Sequence, residues 1–316
     1  MAAIGRRPLG ASGIHVSELA LGSWRTYERI PRDAGLAVMR KARELGINFL
    51  DDARYNDETG TAPMKSGYSE VVFGELFRAT GWTRDEVVLA NKLWWEFWPE
   101  QRAAAELDAS LERMGMAYID LAYAESPPAG LTMQEIVHDI GALISAGKLR
   151  AWGVLNWKPD QMVEAAKEAG AQGVPPPCAA QLAYSLVRRS PVEDHEMADA
   201  LDAAHASVVA SFTLDGGALT GKYVEPGATG RLAERLGDEF HQPALKAAVD
   251  LRTLAERREA RPAPLAIAFA LLNPRVSSVL FGATTPEQVV ENVSAVEIVA
   301  AMDEETVADL GKIGLQ

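Results

Sequence analysis

Three ionisable residues fall where short apolar runs end. Residues 47–51 (INFLD) end on Asp51, with Tyr55 four residues further on; residues 87–92 (VVLANK) end on Lys92; residues 118–124 (YIDLAYA) run into Glu125. If these runs are adjacent parallel strands, their carboxyl ends bring the groups into one small volume. A lysine beside a tyrosine favours the phenolate and lowers its pKa, and an aspartate beside the lysine keeps the ammonium charged. A phenol tuned that way protonates a carbonyl oxygen as hydride reaches the carbon, and general-acid help of this kind is worth roughly 10²–10⁴ in rate. The bland reading is a stabilising ion-pair network, which perturbs pKa values just as well. The joint placement of the three favours chemistry.

The elements that must position them are short apolar runs alternating with amphipathic stretches, the pattern of βα units around a parallel sheet. The strands read as 19–23, 47–51, 87–92, 118–124, 150–155, 178–182, 207–212 and 277–281, and the helices as 33–45, 69–79, 99–114, 132–146, 159–169, 193–204, 243–259 and 286–296. Pro99 and Pro159 sit where first-turn prolines belong; Gly46, Gly115, Gly147 and Gly170 follow last turns. Residues 8–18, around Ser12-Gly13, read as a hairpin. The first strand lacks a G-x-G-x-x-G, so the open dinucleotide-binding sheet loses its support. The expectation is a closed (β/α)8 TIM barrel with an N-terminal β-hairpin, as one domain over residues 1–316; such a barrel takes roughly 250 residues plus insertions. Residues 224–240 read as a mobile loop after the seventh strand, and residues 56–68 as a loop on the face where such barrels carry function.

Composition narrows the classes. A net charge of −13 argues against nucleic-acid and membrane-surface partners, while leaving room for a local basic pocket. One cysteine, Cys178, allows no intramolecular disulfide and suits a reducing cytoplasm. No signal peptide or spanning segment is visible, so the expected location is cytoplasmic. None of the five histidines falls at a strand end or in H-x-x-x-H spacing, and no metal is expected.

At the residues named first, the chain resembles the aldo-keto reductases, and the likeness runs along nearly its whole length. PLGASGIHVSELALGSW is similar to that family's hairpin and first strand, ARELGINFLDDARY to its second strand and catalytic turn, SEVVFGELF to the helix after it, and VVLANKL to its lysine-bearing strand. AWGVLNW, QLAYSLVRR, ALTGKY and FGATTPEQVVEN resemble cofactor-side segments. The resemblance implies a nicotinamide-dependent oxidoreductase with an Asp, Tyr, Lys, His tetrad. Asp51 and Lys92 carry over directly. Tyr55 stands four residues after the aspartate where the family has five, and Tyr68 is the rival proton donor. Glu125 occupies the histidine position. In the family, glutamate there is associated with reduction of a conjugated C=C bond.

By resemblance, Asn156 and Gln181 hold the nicotinamide carboxamide, with Leu155 where a serine is usual. Ser211 stands where an aromatic stacks on the ring, with Phe212 beside it. Leu214, Gly217 and Lys222 align with pyrophosphate contacts; Gly282, Thr284, Gln288, Glu291 and Asn292 align with the adenosine end. Thr285 replaces the usual cation, and Lys222 and Arg231 are the candidate charges for a 2′-phosphate, so NADP is favoured, with NAD open. Trp24, Trp94, Trp95 and Trp157 are candidates for an apolar substrate wall. The implied function is reduction of a small-molecule carbonyl with Tyr55 as general acid. The alternatives are an ene-reductase acting on an enone, and a low-turnover cofactor-binding accessory subunit, against which the chain shows no partner-binding tail.

Overall fold

The computed structural model describes residues 3–58, 60–225, 227–230 and 232–315. Strands β1 (Arg6–Pro8) and β2 (His15–Ser17) form an antiparallel hairpin. Eight parallel strands then close a barrel: β3 (Leu19–Gly22), β4 (Phe49–Asp51), β5 (Val88–Leu93), β6 (Ile119–Ala124), β7 (Leu149–Leu155), β8 (Ala179–Ala183), β9 (Ser207–Ser211) and β10 (Val276–Phe281), the last pairing with β3. All eight expected strands are present in the expected order, as is the hairpin.

Helices surround the barrel: α1 (Arg32–Glu44), α2 (Tyr68–Thr80), α3 (Ala103–Met114), α4 (Met133–Ser145), α5 (Pro159–Gln172), the short α6 (Ser190–Glu193), α7 (His195–Ala204), α8 (Gln242–Arg257), α9 (Pro262–Leu271), α10 (Pro286–Val293), α11 (Ala295–Ala301) and α12 (Glu304–Lys312). No helix among the described residues is long and apolar enough to cross a membrane.

Some expectations need correction. Helix α3 begins at Ala103, not Pro99; Pro99 follows a cis peptide bond in the turn before it. Gly170 lies inside α5, and the left-handed cap is Gly173 at φ 68°. The pattern at 286–296 breaks at Ser294 into α10 and α11. Helices α9 and α12 were not expected. Helix α9 is buried along its length, so it has no polar face to betray a 3.6-residue period. Helix α12 starts at a cap, where Asp303 accepts from the Thr306 N–H at 2.8 Å.

Strand parity sets the site. Successive side chains alternate between lumen and helix layer. Phe49, Val88, Ala90, Leu121, Tyr123, Ala151, Ala179 and Val209 pack into one core with Leu9, Ile14 and Val16 of the hairpin segment, whereas Leu50, Leu89, Ala122, Trp152 and Ala180 belong to the helix-facing core. Two residues on from Phe49, Ala90 and Tyr123 stand Asp51, Lys92 and Glu125, so the alternation itself turns all three inward at the carboxyl end. Gly153 leaves room for the Tyr123 ring beneath them: a Cβ there would lie 3.1 Å from Tyr123 Cδ1 and 2.4 Å from the Ala179 carbonyl oxygen.

Candidate active site

The carboxyl ends of the strands open into a cleft of about 1400 Å³ lined by Asp51, Tyr55, Lys92 and Glu125. Lys92 Nζ donates to both Asp51 carboxylate oxygens at 2.6 Å and to the Asp52 carbonyl at 3.0 Å. The Tyr123 ring centroid lies 5.2 Å from the ammonium. Glu125 follows β6, its N–H donating to the Leu93 carbonyl at 3.0 Å. Burial pushes its carboxyl above the usual range, opposed by the Lys92 charge.

Tyr55 departs from the sequence expectation in one respect. Its hydroxyl accepts from the Arg25 N–H at 2.8 Å. Burial first, then Glu28, push its pKa up; Lys92 is not among the groups acting on it. The phenol is therefore held protonated rather than tuned toward phenolate. The rival Tyr68 opens α2, where its hydroxyl accepts from Arg32 Nη2 at 3.0 Å, and it does not line the cleft.

Asp52 lies behind the pair, fully buried. The Ser23 hydroxyl donates to its Oδ1, and Oδ2 has no partner. Burial and the nearby Glu70 carboxylate raise its pKa from 3.8 to about 8. Its folded pKa thus lies above its unfolded one, so stability declines as pH rises from about 4 toward about 8. Asp52→Asn, which carries no ionisable group, is expected to melt higher than the natural protein at pH 9 and close to it at pH 5, as thermal denaturation at the two pH values would show. Equal melting differences at both would refute the assignment.

The expected cofactor residues that the structure describes, namely Asn156, Gln181, Ser211, Phe212, Leu214, Gly217, Lys222, Gly282, Thr284, Gln288, Glu291 and Asn292, all line the same cleft. Arg231 lies outside the described residues. Gln181 Nε2 also reaches Asp51 Oδ2 at 3.3 Å, tying β8 to the ion pair. Several non-glycine residues around the mouth hold positive φ: Arg25 (51°), Trp95 (58°), Asn156 (54°), Phe212 (56°) and Asp215 (48°). Such backbone strain gathers where a site over-determines side-chain direction.

Among the tryptophans, Trp24 and Trp94 line the cleft. Trp95 and Trp157 do not, which corrects the expectation. The Trp95 indole donates to the Glu125 carbonyl at 3.1 Å, and Trp157 packs edge-on against Trp152 in the core. The loop 224–240, expected to be mobile, is anchored among its described residues at Leu232 and at Phe240. The Leu232 N–H donates to the Tyr223 hydroxyl at 2.9 Å, and Leu232 is buried. Arg188 Nη2 donates to the Phe240 carbonyl at 2.9 Å, while its Nε and His241 Nδ1 meet Asp215 at 2.6 and 3.0 Å.

Sequence reasoning missed Arg54, Arg188, Arg189 and Arg261, which also line the cleft. Arg54 pairs with the buried Glu106 at 2.9 Å, which accepts the Trp94 and Trp95 N–H groups and so fixes the wall. Arg188, Arg189, Lys222 and Arg261 all line the cleft; Glu291 stands 3.7 Å from Arg261, and Asp215 offsets Arg188. Gly216 and Gly217, at φ 66° and 102°, leave the backbone open there. A positive balance within a chain of net charge −13 fits a phosphate-bearing dinucleotide.

Comparisons with known proteins agree with this geometry. A family model described as "Aldo/keto reductase family" matches residues 18–314. A "Putative voltage-gated potassium channel subunit beta" of Schizosaccharomyces pombe is 32% identical, over 97% of this chain and 92% of its own. A "Probable voltage-gated potassium channel subunit beta" of Oryza sativa subsp. japonica is 30% identical, over 95% and 93%.

Proposed function

The chain belongs to the aldo/keto reductase family of oxidoreductases, and from that premise we propose that it reduces a small-molecule carbonyl compound with NADPH. The carrying observation is the convergence of Asp51, Lys92, Glu125 and Tyr55 in one cleft continuous with Asn156, Gln181 and a cation-bearing end. A bound reduced nicotinamide would supply the hydride. In this reading the Lys92 ammonium, neutralised by Asp51, sets the field at the substrate oxygen. The protonated Tyr55 donates the proton that the oxygen gains as the carbon takes hydride. Glu125 donates a second hydrogen bond while neutral. Trp24 and Trp94 wall the substrate, and Asn156 and Gln181 hold the carboxamide.

Two other readings each have an observation behind them. The raised Glu125 carboxyl favours an ene-reductase, because a neutral acid polarising an enone carbonyl directs hydride to the β-carbon. The names of the two relatives favour an accessory subunit that binds dinucleotide with little turnover. One experiment separates the three: incubation with NADPH and an enone, followed by product analysis. Allylic alcohol supports carbonyl reduction, saturated ketone supports the ene-reductase, and no product from protein that binds NADPH supports the subunit.

Glu125 also predicts a pH dependence. A carboxyl raised by burial donates only while protonated, so the rate it supports is highest in acid and is lost as pH rises through its raised pKa. Glu125→Gln keeps a donor without an ionisation, so kcat is expected to stay within about tenfold, a hydrogen bond's worth, with that limb flattened. An unchanged limb in kcat measured from pH 5 to 9 would remove Glu125 from this role.

A further inference from the structure

Residues 56–68, the loop that follows Tyr55, are joined to both walls of the substrate end. The loop is rooted on the proton donor, where the Gly67 N–H donates to the Tyr55 carbonyl at 3.2 Å. Its two arms pair through the Asn56–Ser66 bridge and through the Asp57 N–H, which donates to the Lys65 carbonyl at 2.6 Å. On one side the Ser66 hydroxyl donates to Glu96 at 2.9 Å, and Glu96 stands 3.6 Å from Arg54, whose guanidinium lies 5.4 Å from the Trp94 ring centroid. On the other side Glu58 pairs with the Arg25 guanidinium and with Arg29 Nη2 at 3.4 Å. That Arg25 guanidinium lies over the Trp24 ring, 4.4 Å from its centroid.

Trp24 needs such a hold. It lines the cleft yet is 41% exposed, so an unheld indole would be ordered anew by each substrate that packs on it, at a cost to affinity. A planar guanidinium stacks on an aromatic face, and Glu58 fixes this guanidinium in turn. Among the described residues Arg25 and Arg29 are matched by Glu58 and Glu28, the last accepting from Arg29 Nε at 2.9 Å. The rim therefore offers a ligand shape and no surplus charge. We infer that Arg25, clamped by Glu58 of the 56–68 loop, is a positioning residue that sets substrate specificity, holding Trp24 in place for compounds that carry their carbonyl on a flat, uncharged ring system. A short aliphatic aldehyde has too little surface to draw on that wall. This inference rests on the reading of the cleft as a carbonyl-reducing site.

The test is steady-state kinetics at saturating NADPH with naphthaldehyde and with propanal, read as the ratio of their kcat/KM values. A cation stacked on an exposed ring and an exposed ion pair are each worth up to about fivefold. Arg25→Ala loses both, and is expected to lower the ratio about five- to tenfold, chiefly through the KM for naphthaldehyde. The backbone N–H that meets Tyr55 persists in that variant, so the loss belongs to the side chain. Glu58→Gln is expected to lower the ratio about two- to threefold, and Arg25→Lys should fall between the natural protein and Arg25→Ala. Salt screens an exposed pair, so added sodium chloride should lower the ratio in the natural protein and leave it unaltered in Glu58→Gln. Unchanged melting temperatures confirm that the variants are folded. An Arg25→Ala variant that slows both aldehydes equally, or neither, overturns the inference and leaves the function reading in place. Absence of turnover with both aldehydes in the natural protein overturns the carbonyl-reducing reading, and the selection with it.

Discussion

Lys92→Met is expected to lower kcat by about 10³-fold, the upper range for removing one preorganised electrostatic group beside developing charge. The ammonium is 8% exposed, and both Asp51 oxygens lie 2.6 Å away. Its field is therefore fixed before substrate arrives. The substitution has a second cost, because Asp51, 5% exposed, is left as a buried carboxylate with only Gln181 Nε2 at 3.3 Å. Breaking a buried pair in this way costs roughly 3–5 kcal/mol. Lost folding could therefore pass for lost chemistry, and a double variant separates the two. Asp51→Asn combined with Lys92→Met removes both charges and should regain most of the melting temperature, yet no turnover. Steady-state kinetics and thermal melts on the two variants and the natural protein check this. A double variant that recovers turnover along with stability would show that Lys92 serves the fold and not the reaction.

How far the sequence carries depends on which physical signal each part of the chain emits. The barrel strands were legible because parallel strands buried on both faces are short, nearly continuous apolar runs, and the inward turn of Asp51, Lys92 and Glu125 follows from strand parity. Helix α9 was not legible, because the stretch PAPLAIAFAL is buried all round and its periodicity has nothing to contrast with. That loss hid Arg261, whose position at the cleft depends on knowing that a helix begins at Pro262. Trp95 and Trp157 were misplaced for a related reason. Residue type says that a tryptophan is large and apolar, but only the turn at Trp95, with φ 58° and two amides bound to Glu106, decides that Trp94 faces the cleft and Trp95 the core. The electrostatic coupling of Lys92 to Tyr55 was inferred from proximity along the strand ends. The structure instead surrounds the Tyr55 hydroxyl with the Arg25 amide and Glu28, groups contributed by the loop after β3 that no spacing rule brings there.

That environment shapes what Tyr55→Phe should do. A phenol pushed up by burial and by Glu28 stays protonated throughout the working pH range, so it is always available as a donor but is a weak acid. The loss in carbonyl reduction is accordingly expected at the lower end of the general-acid range, about 10²-fold in kcat, with KM little changed. No limb of the pH profile should belong to the phenol. The Arg25 N–H loses its acceptor at 2.8 Å, so a stability loss of roughly 1–3 kcal/mol should accompany the change. Tyr68→Phe is the matched control, since that hydroxyl accepts from Arg32 outside the cleft, and its kcat should equal that of the natural protein. Combining Tyr55→Phe with Glu125→Gln then asks which group delivers the proton. If Tyr55 delivers it, the double variant is little slower than Tyr55→Phe alone, because a hydrogen bond to an oxygen that is never protonated contributes little. If Tyr55→Phe by itself leaves kcat within a few fold, the phenol is not the donor. The raised carboxyl of Glu125, two residues beyond the Tyr123 ring and within the field of Lys92, becomes the group that must supply the proton.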